Sequence, residues 1–154
     1  MPIYYYQTCI GLLGISEENH SVTGVYFADR NKPAGGELGE TALIKEAYHQ
    51  LDAYLSGRLR EFSLPLKLDG TEFMLKVWFE LQKIPYGQTV TYGQIAKGIG
   101  NEKACRAVGM ANNRNPIPII IPCHRVIGAN GKLVGFGGGL DLKQKLLDIE
   151  KQPY

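Results

Sequence analysis

The pattern of apolar and polar positions changes character partway along the chain. Residues 3–28 are dense in Tyr, Ile, Val and Thr, and "IYYYQTCIGLLGI" and "SVTGVYFAD" predict β structure with "SEENH" as a turn between them. "RNKPAGGELGE" reads as a loop. In "TALIKEAYHQLDAYLSGRL" the apolar positions Ile44, Tyr48, Leu51 and Leu55 recur at spacings of three and four, which predicts a helix. "FSLPLKL" fits either one more short strand or an extended linker. From Gly70 onward the β signal fades. Phe73, Val77, Leu81 and Ile84 form one helical stripe, which Pro85-Tyr86-Gly87 stops. These shifts predict a domain of residues 1–67 and a second of 68–154.

The second half holds the more specific patterns. Thr91 followed by Gln94 is a capping-box spacing, so a helix is expected to start there and to end at Gly98 and Gly100. Asn101 is a candidate cap for a second helix running to about Asn112. Two short helices joined by a glycine turn suggest a helix-turn-helix. At about 100° per residue, Ala104, Ala107, Val108 and Ala111 share a small apolar face suited to packing. Glu102, Arg106, Gly109 and Asn113 share the opposite face, and Lys103 and Arg106 are the cations of this helix. The terminal "DLKQKLLDIE" spaces Leu142, Leu146 and Ile149 for burial, with Glu150 beside that stripe, either turned inward or solvated at the helix end.

One stretch does not reduce to core and surface. "IPIII", Ile117 to Ile121, reads as a buried strand, yet past Pro122 it meets Cys123, His124 and Arg125 in succession. Pro122 predicts that the strand ends there and leaves the thiol at its rim. An ordinary thiol is only a few per cent thiolate at neutral pH, and a neighbouring base raises that fraction. His124 is the candidate base, although adjacent strand residues face opposite ways, so contact requires a bend or a bridging water. Cys9, in a strand pattern, and Cys105, in a helix of small residues, read as small buried hydrophobes. The glycines of "GFGGGLD" make a weak phosphate loop and a reasonable backbone for close approach of a flat ligand.

Composition narrows the field only modestly. With 154 residues, 44% hydrophobic and 21% charged, the chain is of globular type. The formal charge of +2 is too mild to argue for nucleic acid by itself. Three cysteines without a CxxC pair argue against a disulfide scaffold or a zinc cluster. Cys9, His20 and His49 are too scattered to suggest a metal site, and no cofactor is expected. "MPIYYYQTC" lacks a basic start and a long apolar run, which predicts a cytoplasmic protein without a membrane association.

"IPCHRV" resembles the active-site signature of the O6-alkylguanine-DNA alkyltransferases, the methylated-DNA–protein-cysteine methyltransferases. "FELQKIPYGQTVTYGQIA", "RAVGMANNRNPIPIIIPCHRVIG" and "GFGGGLDLKQKLLDIE" follow that family's order and spacing, from about Phe73 to Glu150. The resemblance implies a small ribonuclease H-like α/β domain, with a short antiparallel sheet plus helix, followed by a mostly helical domain with a helix-turn-helix. It implies Cys123 as alkyl acceptor, His124 as its base through water, and Glu150 as the group orienting His124. Tyr92 would help turn the nucleotide out and offer a proton to the guanine, and Asn115 would brace the active-site turn. Arg106 would enter the base stack, and Lys103, Gly109, Asn113 and Arg125 would join Arg106 and Tyr92 against DNA. Val126, Phe136, Gly137 and Gly138 would line the pocket. The implied partner is double-stranded DNA carrying alkylated guanine, met in the minor groove by a monomer. Some relatives carry Tyr where Phe136 stands and Ser where Gly137 stands, which bears on which bulky adducts fit. A lesion-flagging protein without the acceptor ranks lower because Cys123 is present. A cysteine hydrolase would need an oxyanion hole and usually a distant histidine. A transcription factor would leave "PCHRVIG" without a purpose.

Overall fold

The computed structural model describes residues 1–28, 33, 35–136 and 138–151. They form two units: Met1–Leu68 with Pro116–Ile120, and Asp69–Asn115 with Ile121–Lys151. A five-residue excursion of the later chain thus belongs with the earlier one.

In the first unit, β1 (Pro2–Thr8), β2 (Gly11–Glu18), β3 (Ser21–Phe27) and β4 (Glu37–Leu38) form one sheet in the order β3-β2-β1-β4. The β1–β2 and β2–β3 pairings are antiparallel, while β4 joins β1 in parallel, so the sheet is mixed rather than purely antiparallel. The β2–β3 connection is the expected turn. Asn19 and His20 both take positive φ, 52° and 65°, the backbone that a two-residue type I′ hairpin requires. The stretch read as one β segment is two strands, because Cys9 and Ile10 form a second turn. Cys9 is therefore exposed rather than buried in a strand. Tyr5 covers the bare backbone of Gly14 on the next strand, where a Cβ would come within 2.6 Å of the Tyr5 ring. Helix α1 (Ala42–Leu55) is capped by the Thr41 hydroxyl, which accepts from the Ile44 N–H. It buries Ile44, Ala47, Leu51, Tyr54 and Leu55. "FSLPLKL" is extended linker with a single parallel bridge, Leu66 to Val22.

The apolar run Ile117–Ile121 is buried except at the half-buried Ile120, but it is not a strand. Pro116 and Pro118 remove two backbone donors. Ile119 adopts φ +74°, rare for a β-branched residue, and is almost fully buried. The segment is a tight irregular turn whose Pro116 carbonyl accepts from the Val25 N–H of β3.

The second unit contains α2 (Glu72–Leu81), β5 (Val90–Thr91), α3 (Tyr92–Gly98), α4 (Cys105–Asn113), a 3-10 turn (Cys123–Arg125), β6 (Val126–Ile127) and α5 (Leu140–Lys151). Helix α2 buries Val77, Trp78 and Leu81, and the Trp78 Nε1–H donates to the Ala111 carbonyl of α4 at 2.8 Å. The expected capping box is present: Thr91 Oγ1 accepts from Gln94 N–H, and Gln94 Oε1 accepts from Thr91 N–H. Helix α3 ends in a Schellman closure, with Gly100 at φ +82° and Asn101 N–H reaching back to the Ala96 carbonyl. Helix α4 starts three residues later than a cap at Asn101 predicts. Asn101–Ala104 first make a turn, and the N-cap Ala104 has no side-chain acceptor. Ala107 faces solvent, and Val108, Ala111 and Asn112 form the buried face. Among the described residues no helix is long and apolar enough to cross a membrane.

Candidate active site

Cys123 sits on a turn built by backbone chemistry. Pro122 takes φ −78°, ψ 63°, the inverse γ-turn conformation, so that the Cys123 N–H donates to the Ile121 carbonyl at 2.7 Å. The Arg125 N–H then closes on the Pro122 carbonyl. Two amides hold this turn. Asn115 Nδ2 donates to the Ile121 carbonyl at 2.8 Å, and Asn112 Nδ2 to the Cys123 carbonyl at 3.3 Å. Asn115 and Asn112 thus hold two carbonyls of the turn. Strand alternation no longer governs this segment. Cys123, His124 and Arg125 lie on one 3-10 turn, with Cys123 only 4% exposed and His124 fully buried.

His124 and Arg125 converge on Glu150 of α5. His124 Nε2 lies 2.6 Å from Glu150 Oε2. The carboxylate can only accept, so Nε2 carries the hydrogen and the imidazole lone pair falls on Nδ1. Arg125 donates through Nε to Oε1 at 2.8 Å and through Nη2 to Oε2 at 3.0 Å, a bidentate pair, and its Nη1 donates to the Ile84 carbonyl at 2.7 Å. The Gly87 N–H adds a bond to Oε1 at 3.1 Å. Gly87 takes φ +80° in the turn closed by Gln88 N–H on the Pro85 carbonyl, so the "PYG" expected to stop α2, which already ends at Leu81, presents this donor instead. Glu150 is therefore turned inward, not solvated. Burial pushes the His124 pKa down, against the pull of Glu150 upward, which favours the neutral imidazole.

Arg125 departs from its expected place against DNA. Its guanidinium is buried by the Glu150 pair and lies over the Tyr86 ring at 5.6 Å. A carboxylate already binding a histidine attracts the nearest fixed cation, and Arg125 is one residue away.

A groove of about 330 Å³ opens beside this turn, lined by Tyr92, Cys105, Arg106, Gly109, Asn113, Val134 and Gly135. Arg106, Lys103 and Asn113 are exposed, and Gly109 leaves the floor low, with Tyr92 the nearest side chain to a Cβ placed there. Cys105, read as a buried hydrophobe, is exposed on the groove wall. Tyr92 is anchored from both sides. The β5–β6 pairing sets Val90 against Val126 and Thr91 against Ile127, which ties the start of α3 to the residues just after Arg125. The Tyr92 hydroxyl donates to the Val134 carbonyl at 2.8 Å. Burial, and then the Cys123 thiol, push the Tyr92 pKa up. Of the expected pocket residues, Val126 is fully buried in β6, Phe136 is half-buried and Gly138 is buried, while Gly137 lies outside the described residues.

Sequence reasoning missed Lys143. It is buried on the same face of α5 as Glu150, seven residues earlier, and its ammonium donates to the carbonyls of Val134 at 2.8 Å and Gly135 at 3.4 Å. Burial brings its pKa down to about 8, against the pull of Cys123 upward. The one signal in the sequence was its two-turn spacing from Glu150 across Leu146 and Leu147.

Comparison with known proteins gives the family of the chain. Residues 3–68 match the 6-O-methylguanine DNA methyltransferase ribonuclease-like domain, and residues 72–152 match the DNA binding domain of the same family. A methylated-DNA–protein-cysteine methyltransferase of Mycobacterium leprae is 50% identical over 92% of this chain and 87% of its own. One of Methanosarcina acetivorans is 62% identical over 70% of this chain and 69% of its own. The crystal structure of Mycobacterium tuberculosis OGT in complex with DNA superposes with a TM-score of 0.93 at 43% identity, covering 98% of this chain and 93% of that one. With both halves matched and relatives this similar along the chain, the protein belongs to the 6-O-methylguanine DNA methyltransferase family.

Proposed function

We propose that this protein repairs DNA by direct reversal, moving a methyl or other alkyl group from O6 of guanine, and less efficiently from O4 of thymine, to its own Cys123. The observation that carries this reading is the buried chain of Cys123, His124 and Glu150 on one turn and one helix. Neutral His124 accepts the thiol proton at Nδ1 through a water, and Glu150 stabilises the imidazolium formed. The thiolate sulfur attacks the alkyl carbon while the C–O6 bond breaks, and the electron pair leaves with the guanine. Tyr92 offers the departing anion a hydrogen bond and a proton. The product is a thioether, and among the described residues no group of the site offers a route to hydrolyse it. The protein therefore acts once per molecule.

Reaching O6 requires the nucleotide to leave the duplex, at a cost of a few kcal/mol. Arg106 stands on the groove wall where it can fill the vacated stack, and Gly109 permits close approach to a minor groove. Lys103 and Asn113 extend the same exposed surface. Arg125 acts from inside, holding Glu150. The partner is double-stranded DNA with alkylated guanine, bound by a monomer in the cytoplasm, with salt-sensitive affinity drawn mostly from phosphates.

The test is intact-protein mass spectrometry after incubation with a duplex containing O6-methylguanine. A gain of about 14 Da, mapped to Cys123 and saturating at one per protein, is expected. No gain with lesion binding retained would reduce the protein to a damage-recognition module. Cys123→Ala is expected to abolish transfer and keep lesion binding; loss of both would make Cys123 structural. Arg106→Ala is expected to slow repair in duplex more than reaction with the free base, and equal losses would remove Arg106 from nucleotide flipping.

A further inference from the structure

Two donors meet at one acceptor beside the thiol. The Val134 carbonyl receives the Tyr92 hydroxyl at 2.8 Å and the Lys143 ammonium at 2.8 Å, and the ammonium also reaches the Gly135 carbonyl. Lys143 stands 5.9 Å from the centre of the Tyr92 ring. In the free protein the Tyr92 hydroxyl is thus already donating to its own backbone. A phenol has one hydrogen to give. Tyr92 can offer that hydrogen to a departing guanine only by letting go of Val134. A carbonyl that loses its donor resists that release.

We propose that Lys143 is a positioning residue that keeps the Val134 carbonyl satisfied while the Tyr92 hydroxyl transfers its hydrogen bond to the leaving base. This rests on the proposed alkyl transfer and adds a part to it. An ammonium has three hydrogens, enough to serve Val134 and Gly135 together, and it holds the loop that ends in Phe136 against α5. The need for a cation at this point explains why a lysine occupies the buried stripe of α5, next to Leu146 and Leu147. Its strength as a donor depends on its charge, so the hand-off weakens as Lys143 loses its proton. The titratable groups that face it are Tyr92 from α3 and Cys123 and His124 from the active-site turn, with Glu150 further along α5.

The test is a double-mutant cycle on the single-turnover rate of methyl transfer from an O6-methylguanine duplex, with folding checked by thermal melting. Lys143→Met is expected to slow transfer by about ten-fold where Tyr92 is intact. In a Tyr92→Phe background, with no hydroxyl to hand over, the same change is expected to cost less than two-fold, the limit set by experimental scatter. Equal costs in both backgrounds would make Lys143 merely structural and overturn the proposal. A second measurement needs no change at Lys143 and decides the matter if Lys143→Met fails to fold. The ratio of the unmodified rate to the Tyr92→Phe rate is expected to fall as pH rises through about 8, where Lys143 deprotonates. A ratio that stays flat from pH 7 to about 9 would also overturn it, because the ratio cancels whatever pH dependence the two proteins share. An unmodified protein that transfers no methyl group at all would instead refute the repair reading itself.

Discussion

Helices α1 and α5 show the same periodicity and put it to different use. Helix α1 buries Ile44, Ala47, Leu51, Tyr54 and Leu55, a stripe that is apolar but for one phenol. Helix α5 buries Lys143, Leu146, Leu147 and Glu150, so half of its buried positions are charged. Lysine and glutamate are almost never fully buried unless paired. Here each has partners: Glu150 takes His124, Arg125 and Gly87, and Lys143 takes two carbonyls. A buried stripe that keeps to hydrocarbon supports a core. One that admits paired charges, at a stability cost hydrocarbon would not carry, supports chemistry.

The sharpest way to break this contrast is Glu150→Gln. The neutral amide leaves the Arg125 guanidinium buried without its anion and leaves His124⁺ unstabilised when it forms. Removing one partner of a buried pair costs about 3–5 kcal/mol. Losing the group that supports a general base is expected to slow transfer by about 10²- to 10⁴-fold. Urea unfolding and single-turnover kinetics measure the two effects. A variant as stable and as fast as the parent would mean that the charges on α5 are incidental.

The reciprocal substitution in α1 is Leu51→Ala. Leu51 is fully buried, and truncation there is expected to cost about 2–5 kcal/mol in urea unfolding. The rate of transfer by the folded fraction is expected to stay within about two-fold, because this stripe belongs to the core of the first unit, while the thiol and its partners belong to the second. A rate loss matching that of Glu150→Gln would erase the distinction between the two helices.

The same contrast marks what the sequence makes legible. The stripe of α1 was readable because Ile44, Leu51 and Leu55 are apolar at helical spacing, and the cap of α3 because Thr91 and Gln94 use a local hydrogen-bond pattern. Glu150 could be placed near the right face, but only the fold shows it turned inward, because its partners come from Ile84–Gly87 and the 3-10 turn, far away in sequence. Lys143 escaped because a lysine amid polar neighbours reads as solvated. Arg125 was legible as a cation and not as an inward one, since direction depends on where Glu150 lies. "IPIII" misled for another reason. A short apolar run signals burial without specifying backbone, and Ile119 at φ +74° is a strained turn that no periodicity announces. Cys105 shows the converse: small neighbours suggested packing, whereas the late start of α4 leaves the thiol outside.

The smallest expected effect is a pH slope. Burial lowers the His124 pKa from its ordinary 6.5, so below that value the unfolded chain binds a proton that the folded protein resists. The sign follows: the contribution of His124 to stability is present above about pH 6.5 and is lost as pH falls through its folded value. One proton limits the slope to at most about 1.4 kcal/mol per pH unit. Lys143, lowered to about 8, adds nothing to this window, because it is protonated in both states there. The buried stripe of α1 has no group that titrates near pH 6, so Leu51→Ala is expected to shift the stability curve without changing its slope between pH 7 and about 5.5. His124→Asn is expected to flatten that slope, and urea unfolding across the window measures both. Parallel curves for the parent and His124→Asn would show that the imidazole accepts a proton in the folded protein as readily as in the unfolded chain, which would leave the neutral base in this site without its physical cause.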